Sequence, residues 1–364
     1  MKKRKYIISG GGTGGHIFPA LAIANEIKKQ FPEAEVLFVG SKNRMEMEKV
    51  PAAGYPIEGL WISGINRTKP LKNIMFPFKL ISSLWKARSI IRKFKPDAVI
   101  GTGGFASGPI LFMAQKKGIP TFIQEQNSYP GITNKLLSKK VNKIYTAYDN
   151  LTQFFAEEKI IKTGNPIRRE LYDTQIDKAT AAKHFGLEAN KKTLLVVGGS
   201  LGARPINEAI EKILPELKKI GLQLLWQTGK NGFESYKKYD GKHIRSVAFI
   251  PEMKFAYALA DVIISRAGAG TISELALVEK PAILIPSPYV AEDHQTKNAQ
   301  ALAEKNAAVL IPEKQVNEKL FAQIEKLFKE DDLYEKMSKE IKKLALPDAT
   351  QNIVRNIMKT LETR

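Results

Sequence analysis

Short apolar runs alternate along this chain with longer stretches whose apolar residues recur every three or four positions, the pattern of strands alternating with amphipathic helices. The first strand-like runs are Lys5 to Ser9, Glu35 to Val39, Ala98 to Gly101, Thr121 to Ile123 and Lys143 to Thr146. The pattern breaks near Thr163-Gly-Asn-Pro-Ile-Arg168 and restarts at Thr193 to Ser200, followed by Leu222 to Gln227, Arg245 to Phe249, Asp261 to Ser265 and Ala282 to Ile285. Strands that alternate with helices build parallel sheets covered on both faces, so the expected class is α/β with doubly wound, Rossmann-like sheets. A length of 364 residues has room for two such domains, expected at 1–163 and 164–345 and facing each other over a cleft. The charged helical tail, Glu318 to Arg364, has a break at Pro347, and its last helix, about 346–364, is expected to pack back on the first domain.

Both halves open with the same grammar. Ser9-Gly-Gly-Gly-Thr-Gly-Gly-His16 lies between the first strand and a helix, and Gly198-Gly-Ser-Leu-Gly-Ala-Arg204 follows the Thr193 strand. Such turns bring an anion to backbone amides at a helix N-terminus. Gly10-x-Gly12-x-x-Gly15 also fits a dinucleotide fingerprint, but the acid expected near the end of the second strand is missing, replaced by Ser41, Lys42 and Arg44. A phosphate-loop NTPase needs Lys and Ser or Thr after the last glycine, and His16 stands there instead.

Other loops follow predicted strands, where open α/β sheets bind ligands. Gly101-Thr-Gly-Gly-Phe-Ala-Ser-Gly108 offers Gly103, Gly104 and Ser107 to a second anionic group, unless its glycines serve only tight packing. Gln124-Glu-Gln-Asn127 places polar groups where sugar hydroxyls could meet them. In Ser265-Arg-Ala-Gly-Ala-Gly-Thr-Ile-Ser-Glu274, Thr271 and Glu274 have capping-box spacing. Alternatively, Gly268 and Gly270 admit a diphosphate while Glu274 accepts ribose hydroxyls. Asp293-His-Gln-Thr-Lys-Asn298 supplies further amide and imidazole groups. The four histidines are scattered and no Asp-x-Asp pair exists, so no metal and no cofactor are expected. A leaving diphosphate then falls to helix dipoles and to Arg168 or Arg204.

Composition narrows the setting. With no cysteine, disulfides and thiolate metal sites are excluded. No apolar run approaches the ~18 residues of a membrane span, and the apolar run behind Met1-Lys-Lys-Arg-Lys5 is too short for a signal peptide, so a cytoplasmic location is expected. A net charge of +20 calls for an anionic partner. Between Glu58 and Asp97 there is no acid, while Arg67, Lys69, Lys72, Lys79, Lys86, Arg88, Arg92, Lys93 and Lys95 interleave with apolar residues. Ile74, Phe78, Ile81 and Trp85 share one helical face. That face suits an anionic bilayer surface, or it packs on a sheet and leaves the lysines solvated. No nucleic-acid motif accompanies the charge, and nucleic acid is not expected as a partner.

Taken together, the blocks 11–20, 101–109, 125–127, 164–168, 198–204, 266–274 and 294–299 resemble the MurG family of glycosyltransferases, over residues 7 to about 310. Gln124 departs from the pattern, since the family often carries His there. The resemblance implies the B-type glycosyltransferase fold and inverting, metal-free transfer of N-acetylglucosamine from UDP-N-acetylglucosamine. The acceptor is the 4-hydroxyl of the N-acetylmuramoyl-pentapeptide of undecaprenyl-linked lipid I, giving lipid II for peptidoglycan and cell-wall synthesis. It further implies an acceptor and membrane-associating first domain, a UDP-sugar donor second domain, and peripheral attachment to the cytoplasmic face of the inner membrane, with cell-wall synthesis proteins as partners. Thr13, Asn127, Arg168, Ser200, Ile250, Ala269, Gly270, Thr271, Ile272, Ser273, Glu274 and Gln295 would contact the donor, with Gly14 and Gly15 beside Thr13. Ile250 would touch uracil and Glu274 the ribose. Gly103, Gly104 and Ser107 would meet the acceptor diphosphate, and Ile74, Phe78, Lys79, Ile81, Trp85 and Arg88 the membrane.

Such a transfer needs a base. His16, at a helix N-terminus that disfavours imidazolium, is the first candidate and Glu125 the competitor. A UDP-sugar transferase with another lipid acceptor, or a UDP-N-acetylglucosamine epimerase, would share the donor half.

Overall fold

A computed structural model describes residues 3–64, 73–167, 171, 176–199 and 201–363. The chain divides into two compact units, Met1–Ile167 with Leu346–Arg364, and Arg168–Ala345.

In the first unit, β1 (Lys5–Gly10), β2 (Glu35–Ser41), β3 (Ile57–Leu60), β4 (Ala98–Gly103), β5 (Thr121–Glu125), β6 (Lys143–Thr146) and β7 (Ile160–Lys162) form one sheet. All its pairings are parallel, in the order β3-β2-β1-β4-β5-β6-β7. Its helices include α1 (Gly14–Gln30), α2 (Glu46–Ala52), α3 (Phe76–Phe94), α4 (Ser107–Lys116) and α5 (Ile132–Leu137). Alternation along each strand sends successive side chains to opposite faces. Tyr6 and Ile8 pack with Ile23 and Ile27 of α1 and with Ile353 and Ile357 of the C-terminal helix, Ala349–Glu362. Ile7 packs on the other side with Ala87 and Ile90 of α3 and Ile110 of α4. Both faces are covered, which is why the strands read as continuous apolar runs.

The second unit repeats the plan. Its strands are β8 (Thr193–Val197), β9 (Gln223–Gln227), β10 (Ile244–Val247), β11 (Val262–Ser265), β12 (Ala282–Leu284) and β13 (Val309–Leu310). They form a parallel sheet in the order β10-β9-β8-β11-β12-β13. The helices that bear on the site are α6 (Arg204–Lys212), α7 (Ala269–Val278) and α8 (His294–Ala303). Strands β3, β7 and β13 have no counterpart in the sequence reading, and all three are short edge strands.

In each sheet the strand order reverses once, between β1 and β4 and between β8 and β11. The carboxyl ends of the strands at such a reversal diverge into a crevice, the usual ligand position of open α/β sheets. Each glycine turn leaves one of these central strands. No helix among the described residues is long and apolar enough to cross a membrane.

The C-terminal helix is bound into the first unit's core by side chains 0 % exposed, Ile357 among them. Ile357→Ala should destabilise the first unit by about 2–5 kcal/mol, as large-to-small core changes do. Chemical denaturation should show this as an earlier first-unit transition, with the second unit's transition unmoved.

Candidate active site

At the β1/β4 reversal the two glycine loops touch backbone to backbone. Gly104 has φ +83°, and a Cβ there would lie 2.3 Å from the Gly11 carbonyl oxygen. A Cβ on Gly103 would lie 2.8 Å from His16 Cδ2 and 3.0 Å from its Nε2. Ser107 is buried and donates to the Gly104 carbonyl at 2.8 Å. In this trio, expected on an acceptor diphosphate, the missing Cβ atoms of Gly103 and Gly104 leave room for His16 and Gly11.

His16, half-buried in the first turn of α1, has Nδ1 3.0 Å from the Gly11 carbonyl oxygen and 3.4 Å from Thr13 Oγ1. A carbonyl only accepts, so Nδ1 carries the hydrogen and Nε2 of the neutral ring carries the lone pair. Thr13 is the exposed N-cap of α1, extended at φ −145° and without a side-chain capping bond; no acid lies in the first turn. At Gly15 a Cβ would meet nothing nearer than Thr13 Oγ1 at 3.7 Å, which leaves that turn open to an anion.

Glu125, at the end of β5, is buried with both oxygens engaged. Oε1 accepts from the Asn127 amide and side chain at 3.0 and 3.3 Å, and Oε2 from the Gly131 amide and Asn134 Nδ2 at 3.2 and 2.7 Å. Burial pushes its carboxyl above the usual range, against the pull of these N–H donors. Gln124 Nε2 donates to Asn165 Oδ1, Asn165 Nδ2 to the Gln126 carbonyl, and Gln126 Nε2 to the Thr102 carbonyl, at 2.9, 3.1 and 2.7 Å. Of the four polar residues expected to meet sugar hydroxyls, only Asn127 is not buried.

The basic segment corrects one of its two readings. Ile74, Phe78, Ile81 and Trp85 are 66, 61, 55 and 71 % exposed, while α3 packs inward through Ser83, Ala87, Ile90 and Ile91. The apolar face therefore does not pack on the sheet. Lys79 donates to Ser63 Oγ at 3.1 Å and stands 6.0 Å from the centre of the exposed Trp61 ring; Arg88 is exposed. Arg67, Lys69 and Lys72 lie outside the described residues.

The second unit has its own glycine junction. Gly202, at φ +86°, would place a Cβ 2.2 Å from the Thr228 carbonyl oxygen, and Asn207 ties the junction by donating to that oxygen at 2.8 Å. Asn207 also accepts from Trp226 Nε1 at 3.0 Å. Across the reversal, α7 begins at Ala269 with Gly268 as N-cap. Thr271 is already inside the helix, so the capping-box reading fails. Glu274, one turn further, accepts from the Tyr257 hydroxyl at 2.6 Å. A Cβ on Gly270 would meet nothing within 4 Å, although glycine in a helix is unfavourable by roughly 0.5–1 kcal/mol against alanine. Protein packing does not account for that glycine.

Ile250 is buried, its side chain in the core and its amide donating to Gln227 Oε1 at 2.9 Å. Gln295, in the first turn of α8, accepts from the Ser287 amide at 2.9 Å. Arg204 is engaged by Glu208 at 2.6 Å and is largely exposed. Arg266 is spent on Glu313 at 2.5 Å and on the Ile285 and Pro286 carbonyls. Arg168 and Ser200 lie outside the described residues. Among the described residues no three His, Asp or Glu side chains are grouped as metal ligands would be.

Residues 6–146 match the glycosyltransferase family 28 N-terminal domain and residues 193–353 its C-terminal domain. The chain belongs to glycosyltransferase family 28. Two similar curated relatives, from Flavobacterium psychrophilum and Christiangramia forsetii, are each 55 % identical. The first match covers 100 % of both chains, the second 99 % of this chain and 98 % of the relative. Both relatives are named UDP-N-acetylglucosamine–N-acetylmuramyl-(pentapeptide) pyrophosphoryl-undecaprenol N-acetylglucosamine transferase. The crystal structure of Acinetobacter baumannii MurG superposes with a TM-score of 0.80 at 31 % identity, over 98 % of this chain and 99 % of that one. The family 28 fold is the two-domain B-type architecture expected from the motifs.

Sequence reasoning passed over Glu46, Asn134, Asn207 and Tyr257, which hold the family 28 loops in shape. None sits in a glycine motif; each reaches its partner only in the folded chain. Gly270→Ala should leave thermal stability unchanged or slightly higher but weaken binding of a nucleoside diphosphate probe, because the new methyl enters open space at the α7 N-terminus. Calorimetric titration beside thermal unfolding checks both halves.

Proposed function

We propose that the chain transfers N-acetylglucosamine from UDP-N-acetylglucosamine to the 4-hydroxyl of the muramoyl-pentapeptide of lipid I, yielding lipid II and UDP. The observation that carries this is 55 % identity over the whole chain to curated transferases named for that donor and acceptor. Open glycines at the α1 and α7 N-termini support it, since each leaves room where an anion would lie.

In this reading His16 Nε2 takes the proton of the acceptor hydroxyl. The oxygen attacks the anomeric carbon opposite the UDP oxygen, the old bond breaks as the new one forms, and the configuration inverts. Charge on the departing diphosphate is met by the amides at the start of α7, a preorganised electrostatic site. Glu274 takes the ribose hydroxyls. Glu125, with its oxygens already filled, serves to hold Asn127 and α5 in place, which favours His16 as the base.

The outward face of Ile74, Phe78, Ile81 and Trp85, with Lys79 and Arg88, rests on an anionic inner-membrane surface, bringing the first unit to its lipid-linked acceptor at the cytoplasmic side. Its exposure supports this, since large apolar patches on a protein surface mark interaction sites.

A transfer assay with labelled donor and a short-chain lipid I analogue should yield UDP and disaccharide-lipid in equal amounts. Donor turnover without lipid labelling would point to an epimerase. His16→Ala should lower transfer by about 100-fold or more, the scale of a general base, with donor affinity retained; unchanged turnover would remove His16 from the mechanism. Replacing Phe78, Ile81 and Trp85 together by Ser should lower binding to anionic vesicles more than ~10-fold without changing thermal stability, given that burying one such side chain is worth about 1.5–3 kcal/mol. Vesicle flotation and thermal unfolding separate that outcome from loss of fold.

A further inference from the structure

The peptide joining Gly11 to Gly12 is held at both ends. Its N–H, on Gly12, donates to Glu46 Oε2 at 3.0 Å, and its C=O, on Gly11, accepts from His16 Nδ1 at 3.0 Å. The other Glu46 oxygen accepts from the Ser41 amide at 2.9 Å, and the residue is 0 % exposed. Space for this carboxylate is cut from the neighbouring backbone: a Cβ on Gly11 would lie 2.2 Å from Glu46 Oε1, and one on Gly40 2.5 Å from its Cγ. Burying a carboxylate is costly unless strong hydrogen bonds meet it, and here the partners are backbone amides of the glycine turn and of β2.

We infer that Glu46 is a positioning residue for His16, acting through this single peptide group. The inference rests on the reading of His16 as the base. An N–H that donates to a carboxylate moves electron density toward its own carbonyl oxygen, and hydrogen bonds in such a chain strengthen one another. The Gly11 oxygen then grips Nδ1–H more firmly. That pins the ring, keeps the lone pair on Nε2 and stabilises the imidazolium formed when Nε2 takes the acceptor proton. No proton travels along the chain. A catalytic triad achieves the same end with the carboxylate directly on the imidazole. Charged groups near this corner include Glu46, Glu125 at the end of β5, and Arg44, whose guanidinium stands over the Phe105 ring that packs against Gly12. From β4 the neighbour is Gly103, and from the end of β5 the Gln126 amide.

Glu46→Gln keeps the shape and removes the charge. In the full-length enzyme kcat should fall about 10- to 100-fold, the loss typical of an outer-shell partner, with donor KM nearly unchanged. In a His16→Ala background the same substitution should add nothing, because the carboxylate acts through the ring. The His16 imidazole, assigned by NMR against His16→Ala, should titrate at lower pH in E46Q than in the unmodified enzyme, since losing the negative charge disfavours imidazolium. A Glu46 effect that multiplies the His16→Ala loss, or an unmoved His16 titration, would make Glu46 a loop scaffold only. Should E46Q fail to fold, imidazole nitrogen shifts of the unmodified enzyme decide: hydrogen on Nδ1 supports the relay and hydrogen on Nε2 overturns it. Full activity of His16→Ala would instead end the base reading, while the titration shift would report on Glu46 independently.

Discussion

Everything at the first unit's ligand-facing edge depends on one close approach, the backbone of Gly104 against the carbonyl of Gly11. Adjacent parallel strands bring their outgoing loops side by side, and only chains without Cβ atoms can then lie in contact. The contact sets where α1 starts, where its first-turn amides point and where the His16 ring stands. The second unit solves the same problem with Gly202 against Thr228, on a sheet that reverses at the same relative place. Two copies of one physical solution are what the paired glycine turns express.

Glycines in these loops divide into two kinds. At 11, 103, 104 and 202 the missing Cβ makes way for protein. At 15 and 270 no clash with protein explains the choice, and the helices there present amides in their first turns, while Gly199 is required by its left-handed φ of +84°. The polar residues at the strand ends divide in the same way. Gln124, Glu125 and Gln126 are buried in a hydrogen-bonded network, which leaves Asn127 as the accessible member of its block. A site made largely of backbone amides must be held by side chains that satisfy every neighbouring donor, since an unsatisfied buried group is expensive and a mobile one loses its aim.

The first unit's outer face follows a separate logic. Helix α3 has two faces: one of Ser83, Ala87, Ile90 and Ile91 buried toward the core, and one of Phe78, Ile81 and Trp85 toward solvent. The inward stripe is packed into the core, and the bulky stripe is left largely exposed. This outward stripe of Phe and Trp beside Lys and Arg lies in the unit that also carries His16.

The α/β class, the two repeats, the glycine turns and the family were legible in the residues, because apolar period, glycine spacing and helix starts are local properties of a chain. The same holds for His16 as a candidate. Local pattern failed where two readings share one period: the stripe at 74, 78, 81 and 85 is equally amphipathic facing sheet or solvent, and Thr271 to Glu274 has capping spacing wherever its helix begins. Strand order, the reversals between β1 and β4 and between β8 and β11, and the partnership of Glu46 with the Gly11–Gly12 peptide belong to the tertiary structure alone. The two reversals and the Glu46 contact join residues 30 or more positions apart, and which distant groups meet is settled by packing both faces of a sheet at once, a condition no local window contains.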